Sequence, residues 1–329
     1  MLYLATLFIV NLLIILKHET FSNIINIYDT PDNKRKIHKH KISLSGGIII
    51  FINITIFSLF NYFENFELIS DQIFLSNNEL YLFFFGASSF FLIGIFDDKY
   101  NISANKKIIL IIFVLCILMN FDKNLLINSA RLSFTNYEFK FGNISFMWTL
   151  ICFLLFINAF NMIDGINLQS GIYSIVIILI ILSLGHELLF FLSILTPLLF
   201  FLYLNYKNKS FLGNSGSYLL PFIFSYYLIK FYNYDQSITA DFIVLIMIIP
   251  GLDLIRLFFI RIINKRNPFK ADNNHLHHIL LKRNSYLRTL LIIQSIIIFP
   301  IILKYFTNNI VIPLIFSVGL YYYFLLKKN

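Results

Sequence analysis

Two adjacent carboxylates, Asp97 and Asp98, stand where a long apolar run ends, and Lys107 follows after a short polar stretch. Carboxylates in this position are costly unless a cation or a base lies nearby, and the C-terminal end of a helix is electrostatically unfavourable for acids. The pair could share Mg²⁺, which prefers carboxylates combined with substrate phosphates, or one member could act as a general base. The alternative is a solvated aspartate pair at a helix end.

A stripe of amide and carboxyl side chains occupies the end of a second apolar run. Asn158, Asn161 and Asp164 follow one another at intervals of three, so on a helix they share one face. Three polar side chains on one face of an apolar helix need a partner, which could be a ligand or a neighbouring helix that forms a hydrogen-bonded seam. The spacing therefore predicts a polar site and leaves its occupant open.

A glycine-rich turn, Gly213 to Ser217, precedes another apolar run. Glycines let the backbone approach a ligand closely, and the amides at the start of the following helix can receive phosphate oxygens. The turn predicts a phosphate-binding segment only in combination with the other motifs.

Two further segments carry positive or protonatable side chains. The first lies near the beginning of the sequence and could bind phosphate or attach to anionic lipid headgroups. The second contains three histidines without a cysteine or a fourth ligand for zinc, so we expect protonatable imidazoles there. The residues concerned are Arg35, Lys36 and His38 in the first segment and His275, His277 and His278 in the second.

The composition indicates that a membrane holds these segments. Hydrophobic residues make up 58% of the 329 residues and charged residues only 13%, whereas soluble domains carry about 25% charged residues. Apolar runs repeatedly reach the roughly 20 residues that cross a bilayer. The formal net charge of +9 could suggest nucleic-acid binding, but an excess of Lys and Arg in cytoplasmic loops explains it better.

The hydropathy pattern predicts an all-α, polytopic membrane protein with about eleven transmembrane helices. With the N-terminus outside and the C-terminus cytoplasmic, most of the 26 Lys and Arg residues fall on the inner side. The spans are almost free of charge, so the polar segments should act at the cytoplasmic face of a single membrane domain, residues 1–329. The predicted spans are 2–17, 43–61, 80–96, 107–121, 144–160, 170–185, 187–204, 217–232, 240–258, 289–303 and 308–325.

Taken in order, the five polar segments resemble those of the polyprenyl-phosphate N-acetylhexosamine-1-phosphate transferases. This is the WecA/MraY-like glycosyltransferase family 4, and the last segment is more similar to the WecA-type branch. The resemblance covers residues 29 to 280. The matching residues are Asp29, Pro31, Arg35, Lys36, His38, Gly46 and Gly47; Asp97, Asp98 and Lys107; Asn158, Asn161, Asp164 and Gly165; Phe211 to Ser217; and Pro250, Asp253, Asp272, His275, His277 and His278.

The resemblance implies an enzyme that moves a sugar-1-phosphate from a UDP-sugar to polyprenyl phosphate and releases UMP. Its implied cofactor is Mg²⁺, with Mn²⁺ as the alternative. Its partners would be the UDP-sugar, the polyprenyl (undecaprenyl) phosphate acceptor, membrane lipids and, as an open alternative, a second copy in a homodimer; nucleic acid is not among them. The implied location is the bacterial inner membrane, at the start of cell-envelope polysaccharide synthesis.

The predicted roles follow from the motifs and the resemblance together. We expect catalytic groups to offset or transfer charge, binding groups to hold phosphates, and oxygen ligands to hold the metal. The predicted catalytic residues are Asp97, Asp98, Asp164, His275, His277 and His278; the phosphate-binding residues are Arg35, Lys36, His38, Lys107, Asn158, Gly213 and Ser217; the metal ligands are Asn161, Asp164 and Asn214.

Two positions depart from the family's pattern. Asn214 and Asn167 stand where the family has aspartate, so the resemblance implies a metal site with less negative charge. Two alternatives therefore stay open beside an active transferase: a transporter or flippase of lipid-linked sugars, and a catalytically weakened homologue. The sequence does not specify the sugar or the glycan pathway.

Overall fold

The computed structural model describes residues 2–31, 40–64, 73–135, 137–185, 187–235, 238–265, 274–307 and 309–327. Within these ranges the chain forms thirteen α-helices and two antiparallel two-stranded sheets. The helices are α1 (Leu2–Leu16), α2 (His18–Ile25), α3 (Gly46–Phe63), α4 (Asn77–Tyr100), α5 (Ala104–Phe121), α6 (Ser145–Ile163), α7 (Gln169–Ser183), α8 (Leu188–Tyr206), α9 (Gly213–Tyr234), α10 (Ala240–Ile263), α11 (Leu276–Leu281), α12 (Tyr286–Phe306) and α13 (Val311–Leu326).

Every predicted apolar segment coincides with a helix of at least 15 residues, because a helix satisfies its backbone polar groups internally and is the form that an apolar run takes in lipid. In the described ranges, seven helices are long and apolar enough to cross a membrane, or eight if α1 and α2, which meet at an 86° bend, form one span. Helices α7 and α13 are apolar but shorter, at 15 and 16 residues. The chain is a mostly helical, multi-pass membrane protein. The figure of about eleven spans and the sides of the two termini stay predictions.

The two sheets depart from the all-α expectation. Strand β1 (Tyr28–Asp29) pairs with β2 (Ile42–Ser43), and β3 (Ser129–Arg131) pairs with β4 (Glu138–Lys140). Strands of two or three residues are too short to show the alternation of apolar and polar residues by which a strand is recognised. The sheets lie in segments that connect helices and do not alter the helical class.

The chain divides into two compact units. Unit 1 comprises residues 1–111 and 174–223, and unit 2 comprises residues 112–173 and 224–329. The prediction of a single membrane domain stays a prediction, and each unit is described below by itself.

Unit 1 has an aromatic core. The rings of Phe90 and Phe222 stack at 4.5 Å between centroids, and Phe190 meets Phe57 and Phe83 edge to face at 5.2 and 5.5 Å. Offset stacks and edge-to-face pairs are the arrangements that aromatic quadrupoles favour. The core therefore joins α3, α4, α8 and the first part of α9.

A pair of buried amides also joins two helices of unit 1. The side chain of Asn11 in α1 donates to Asn53 Oδ1 in α3 at 2.7 Å, and Asn53 donates back to Asn11 Oδ1 at 3.2 Å. Both residues are buried. Polar side chains that bond to each other between apolar helices hold those helices together in a membrane.

Unit 2 is built around α10, which packs against α6, α12 and α13. It contains a fully buried ion pair, in which Lys230 Nζ lies 2.8 Å from Asp122 Oδ2. The Tyr226 hydroxyl donates to the same carboxylate at 2.7 Å. Buried charges require a partner of opposite sign. The ion pair therefore links the end of α5 to α9.

Candidate active site

In unit 1, the Asp98 carboxylate binds the start of α9. Its Oδ1 accepts the Asn214 N–H at 2.8 Å, and its Oδ2 accepts the Ser215 N–H at 3.0 Å. An anion at a helix N-terminus is favourable because free N–H groups and the positive end of the helix dipole meet there. These two amides, expected from the sequence to receive phosphate oxygens, instead donate to Asp98.

Gly213 makes this contact feasible. Its φ is +73°, a left-handed conformation that favours glycine. A Cβ atom at this position would also lie 2.7 Å from Asp98 Oδ2. Gly213 therefore allows the close approach between the glycine-rich turn and the aspartate pair.

Asp97 has different partners from Asp98. It is buried, and its Oδ2 lies 2.7 Å from Lys107 Nζ and accepts a hydrogen bond from the Tyr218 hydroxyl at 3.2 Å. The Lys107 side chain is 24% exposed, whereas that of Asp97 is 2% exposed. The Lys107 side chain is thus the more accessible member of this pair, and Tyr218 is a partner that the sequence analysis missed.

Backbone hydrogen bonds join the segment from Ser43 to Gly47 to the residues before Gly213. Phe211 N–H donates to Ser43 O at 2.9 Å, and the amides of Gly46 and Gly47 donate to Phe211 O and Leu212 O at 3.0 and 2.9 Å. This ladder fixes the segment that leads into Gly213. The predicted phosphate-binding residues Arg35, Lys36 and His38 lie outside the described residues.

In unit 2, Asp253 holds the histidine segment in place. Its Oδ2 lies 3.0 Å from His275 Nδ1, and its Oδ1 accepts from Arg256 Nη2 and from the Tyr321 hydroxyl, both at 2.8 Å. The Leu276 N–H donates to the same carboxylate at 3.2 Å. Because the carboxylate compensates Arg256 and orients His275, Asp253 is a positioning residue. A charged residue within an apolar helix was the sequence signal for it.

His277 packs directly against Gly165, the residue that follows Asp164. A Cβ atom at Gly165 would lie 2.0 Å from His277 Nε2, so the imidazole occupies the space that a side chain would need. Burial, followed by the neighbouring His278 and His275, lowers the pKa of His277 to about 3. His277 is therefore neutral at physiological pH and can act as a hydrogen-bonding group but not as a cation.

The His277 ring also lines a small cavity of unit 2. This cavity of 20 Å³ is bordered by Asp253, Gln169 and His277 among apolar side chains. Within the described ranges, the buried atoms His277 Nε2 and Gln169 Oε1 have no hydrogen-bond partner. Buried polar atoms normally have a partner, so these two atoms suit a polar ligand group. His278 lies beside His277, with 4.2 Å between ring centroids.

Asp164 follows the last residue of α6 and accepts a hydrogen bond from Ser170 Oγ at 2.5 Å. Burial raises the pKa of Asp164 to about 6, although this hydrogen bond opposes the shift. Asn161 lies one helical turn earlier and is partly buried. The Asn158 amide donates to Leu154 O of its own helix at 2.7 Å.

The donor set at Asp164 is compatible with Mg²⁺. Burial disfavours the charged form of a carboxylate, and a nearby cation stabilises that charged form. Mg²⁺ usually takes one or two carboxylates and completes its octahedron with water and substrate phosphates. No group of three or more His, Cys, Asp or Glu side chains arranged for a metal occurs in the described part of the chain. Asp164 with the Asn161 amide oxygen would therefore need water and substrate oxygens as the remaining ligands.

The structure thus forms two groups of predicted site residues. Unit 1 brings together the aspartate pair, Lys107 and the segment from Gly213 to Ser217. Unit 2 brings together Asp164, Gly165 and the histidines, with Asn158 and Asn161 on α6. The residues that the sequence analysis missed are partners of these groups: Tyr218, Ser170, Arg256 and Tyr321.

Comparison with known proteins matches residues 80–232 to the family described as glycosyl transferase family 4. The chain is 27% identical over 271 residues to the undecaprenyl-phosphate alpha-N-acetylglucosaminyl 1-phosphate transferase of Salmonella typhi, over 78% of this chain and 70% of that protein. It is 27% identical over 276 residues to the protein of the same name from Thermotoga maritima, over 84% of this chain and 80% of that protein. These similarities confirm the family resemblance predicted from the motifs.

Proposed function

We propose, from the match of residues 80–232 to glycosyl transferase family 4, that this chain transfers a sugar-1-phosphate from a nucleotide sugar to undecaprenyl phosphate. The donor is a UDP-N-acetylhexosamine, with N-acetylglucosamine the first sugar to test because it appears in the relatives' names. The observation that supports the proposal is the pairing of distant motifs, Asp98 with Asn214 and Gly165 with His277.

The reaction joins two anions. An oxygen of undecaprenyl phosphate forms a bond to the phosphorus that carries the sugar, and the bond from that phosphorus to the bridging oxygen breaks. UMP leaves with that oxygen, and the product is a lipid-linked diphosphate sugar. Phosphoryl transfer depends mainly on positioning and on charge neutralisation, which is what the two groups of side chains supply.

Unit 2 holds the proposed metal ligands Asp164 and Asn161. Asn214, the third ligand predicted from the resemblance, belongs to unit 1. A bound Mg²⁺ would neutralise diphosphate charge and stabilise the leaving UMP oxygen. The Ser170 hydroxyl fixes the Asp164 carboxylate. The buried His277 Nε2 atom of a neutral imidazole can form a hydrogen bond with a polar group of the substrate. Asp253 fixes the orientation of the His275 ring.

Unit 1 supplies charge and backbone geometry. Lys107, the accessible member of its ion pair, offsets phosphate charge, while Asp97 orients the lysine. Asp98 fixes the start of α9 through two amides, so we assign it a positioning role beside the general-base role predicted from sequence. The reaction takes place at the cytoplasmic boundary of the bacterial inner membrane, where the isoprenoid chain of the acceptor stays in lipid, and it starts a cell-envelope polysaccharide.

The test is a transfer assay in membranes that contain the full chain, undecaprenyl phosphate and sugar-labelled UDP-N-acetylglucosamine. Asp164→Asn should lower both the organic-soluble labelled product and UMP release by about 100-fold, because an electrostatic contact in the transition state is lost. Glu138→Gln, a loss of the same charge on the exposed strand β4, should keep wild-type activity. Unchanged product formation by Asp164→Asn would reject its assigned role.

The same assay separates the alternatives. A UDP-sugar panel that includes N-acetylgalactosamine identifies the donor if N-acetylglucosamine is inactive. A transporter or flippase would yield no lipid-linked sugar from any donor. A catalytically weakened homologue would yield neither lipid product nor UMP, and either result would overturn the proposal.

A further inference from the structure

A second cavity in unit 2 lies among the ends of α11, α12 and α13. Its volume is 320 Å³, and its polar lining consists of Arg283, Asn284, Arg288 and Lys327. None of these residues belongs to the five motifs or to the predicted catalytic groups. We call this space the basic cavity.

The positive charge of the basic cavity has no carboxylate partner in the described lining. Arg283 Nη1 donates to Leu325 O at 3.3 Å and to Lys327 O at 2.5 Å, which are neutral carbonyls at the end of α13. Those carbonyls fix the guanidinium but do not remove its charge. Arg288 and Lys327 add two more cations, both on exposed residues. Three like charges around one space favour an anion.

The rest of the lining is apolar. Leu280 contributes from α11, Ile292 from α12 and Phe324 from α13. A free inorganic anion gains nothing from these side chains, whereas a lipid phosphate can bind the cations while its hydrocarbon lies along apolar helices. Basic pockets between membrane helices are known to bind anionic headgroups in this way.

We propose that the basic cavity binds the phosphate group of an anionic membrane lipid as a non-catalytic site. Arginine and lysine donors hold the phosphate oxygens through charge-assisted hydrogen bonds. The position agrees with the predicted cytoplasmic side, on which Arg283, Arg288 and Lys327 fall. The site does not depend on the transferase proposal, since its residues are separate from the motif residues.

The experiment uses the purified, delipidated full chain in a non-ionic detergent and measures its melting temperature against added ligand. The probes are phosphatidylglycerol, phosphatidylcholine and inorganic phosphate. Phosphatidylglycerol should raise the melting temperature of the wild type, and phosphatidylcholine should raise it less because its headgroup has no net charge. In Arg288→Gln/Lys327→Gln the half-saturating phosphatidylglycerol concentration should rise by about 25-fold, at about fivefold for each cation removed.

Lys282→Gln is the matched control, because Lys282 is exposed, lies next to Arg283 and does not line the cavity. It should keep the wild-type half-saturating concentration. Arg283 is not replaced, since it also fixes the end of α13. If the double variant is unstable without lipid, Arg288→Gln alone should give about a fivefold shift.

The probes separate the two sources of phosphate. If inorganic phosphate alone stabilises the wild type and the double variant weakens this effect, the site binds phosphate but its ligand is not a lipid, which overturns the lipid proposal. Stabilisation by phosphatidylglycerol that is weakened in the double variant and retained in Lys282→Gln supports it. Equal half-saturating concentrations in the wild type and the double variant would overturn it entirely.

Discussion

At the scale of single residues, the contact between Gly165 and His277 links two motifs more than a hundred positions apart. The glycine is needed because the imidazole occupies the position of its missing side chain. This contact also fixes the place of His277 relative to Asp164, the neighbour of Gly165. The geometry of the histidine segment therefore depends on the absence of a side chain at position 165.

Gly165→Ala should lower transfer activity by about 100-fold, because a methyl group would displace His277 and misplacement of this order has that effect on an enzyme. The measurement is lipid-linked product formed per amount of folded protein in the membrane. Gly319→Ala is the control, since no described atom lies within 4 Å of a Cβ built there. Wild-type activity in Gly165→Ala would contradict the contact.

The neutral state of His277 predicts a pH dependence of stability. Its pKa is about 3 in the folded protein and about 6.5 in an unfolded chain. Below pH 6.5 the imidazole of residue 277 is protonated in the unfolded chain but stays neutral in the folded protein. The contribution of His277 to the free energy of unfolding, which is fully present above pH 6.5, is therefore lost as the pH falls towards 3. Between pH 7.5 and 5.5 this loss amounts to about 1.4 kcal/mol.

His277→Gln should lack this part of the acid sensitivity. The measurement is the difference in free energy of unfolding between pH 7.5 and pH 5.5, taken in the same detergent for the wild type and the variant. A smaller difference in the variant is expected. The same difference in both proteins would show that His277 takes up a proton in the folded state.

The site residues could be predicted from sequence as separate motifs, but apart from Lys107 their partners could not. Asp97 and Asp98 are adjacent and of one type, yet one binds Lys107 and the other binds backbone amides of α9. The contact of Asp97 with Lys107 spans only ten positions. The contact of Asp98 with α9 joins positions more than a hundred residues apart, and no local pattern encodes the helix packing that produces it.

At the scale of secondary-structure elements, the start of α9 depends on a side chain from α4. The first turn of a helix has unsatisfied N–H groups, and the side chain of Asp98 accepts two of them. Because α9 begins with Gly213, the motif that carries Asn214 is held in place by the aspartate pair. The position of this segment is thus set by a contact between two motifs.

Asp98→Ala should lower the free energy of unfolding by about 3 kcal/mol, since two hydrogen bonds to a charged group are worth roughly 1.5 to 3 kcal/mol each and water replaces part of them. Asp98→Asn should lose less, because an amide oxygen can still accept one N–H. The measurement is denaturant or thermal unfolding in detergent, together with transfer activity. Equal stability of Asp98→Ala and the wild type would contradict the capping role.

The long helices could be predicted from sequence, whereas the short elements could not. Continuous apolar runs give the long helices because lipid leaves no other way to satisfy the backbone. Helices α2 and α11 and the four strands have eight residues or fewer, too few for a periodic signal. The bend of 86° between α1 and α2 is likewise not marked by a proline or a glycine in the sequence.

At the scale of the whole molecule, unit 2 depends on buried charge. The ion pair between Asp122 and Lys230 has both side chains fully buried, and the rings of Tyr226 and Tyr234 lie 5.6 and 5.8 Å from the Lys230 ammonium group. Removing one charge would leave the other without compensation in an apolar environment. Lys230 lies within the predicted span 217–232, and the sequence analysis did not predict its buried carboxylate partner.

Lys230→Met should lower the free energy of unfolding by about 3 to 5 kcal/mol, because an unpaired carboxylate would remain buried. The double variant Asp122→Asn/Lys230→Met should recover most of that loss, since both charges are gone. Thermal unfolding of the three proteins in the same detergent is the measurement. A double variant as unstable as Lys230→Met would show that the carboxylate is not the cause.

The reciprocal amide pair of Asn11 and Asn53 has a consequence for how the protein is made. Helix α1 leaves the ribosome well before α3, and until α3 arrives the Asn11 amide can bond only within its own helix, where its nitrogen donates to Leu7 O at 2.7 Å. Polar groups in hydrocarbon are unfavourable when unpaired, and the Asn11 side-chain oxygen gains its partner Asn53 only when α3 is present. We therefore expect α1, which has only 15 residues, to be held more firmly in the bilayer once α3 has been inserted.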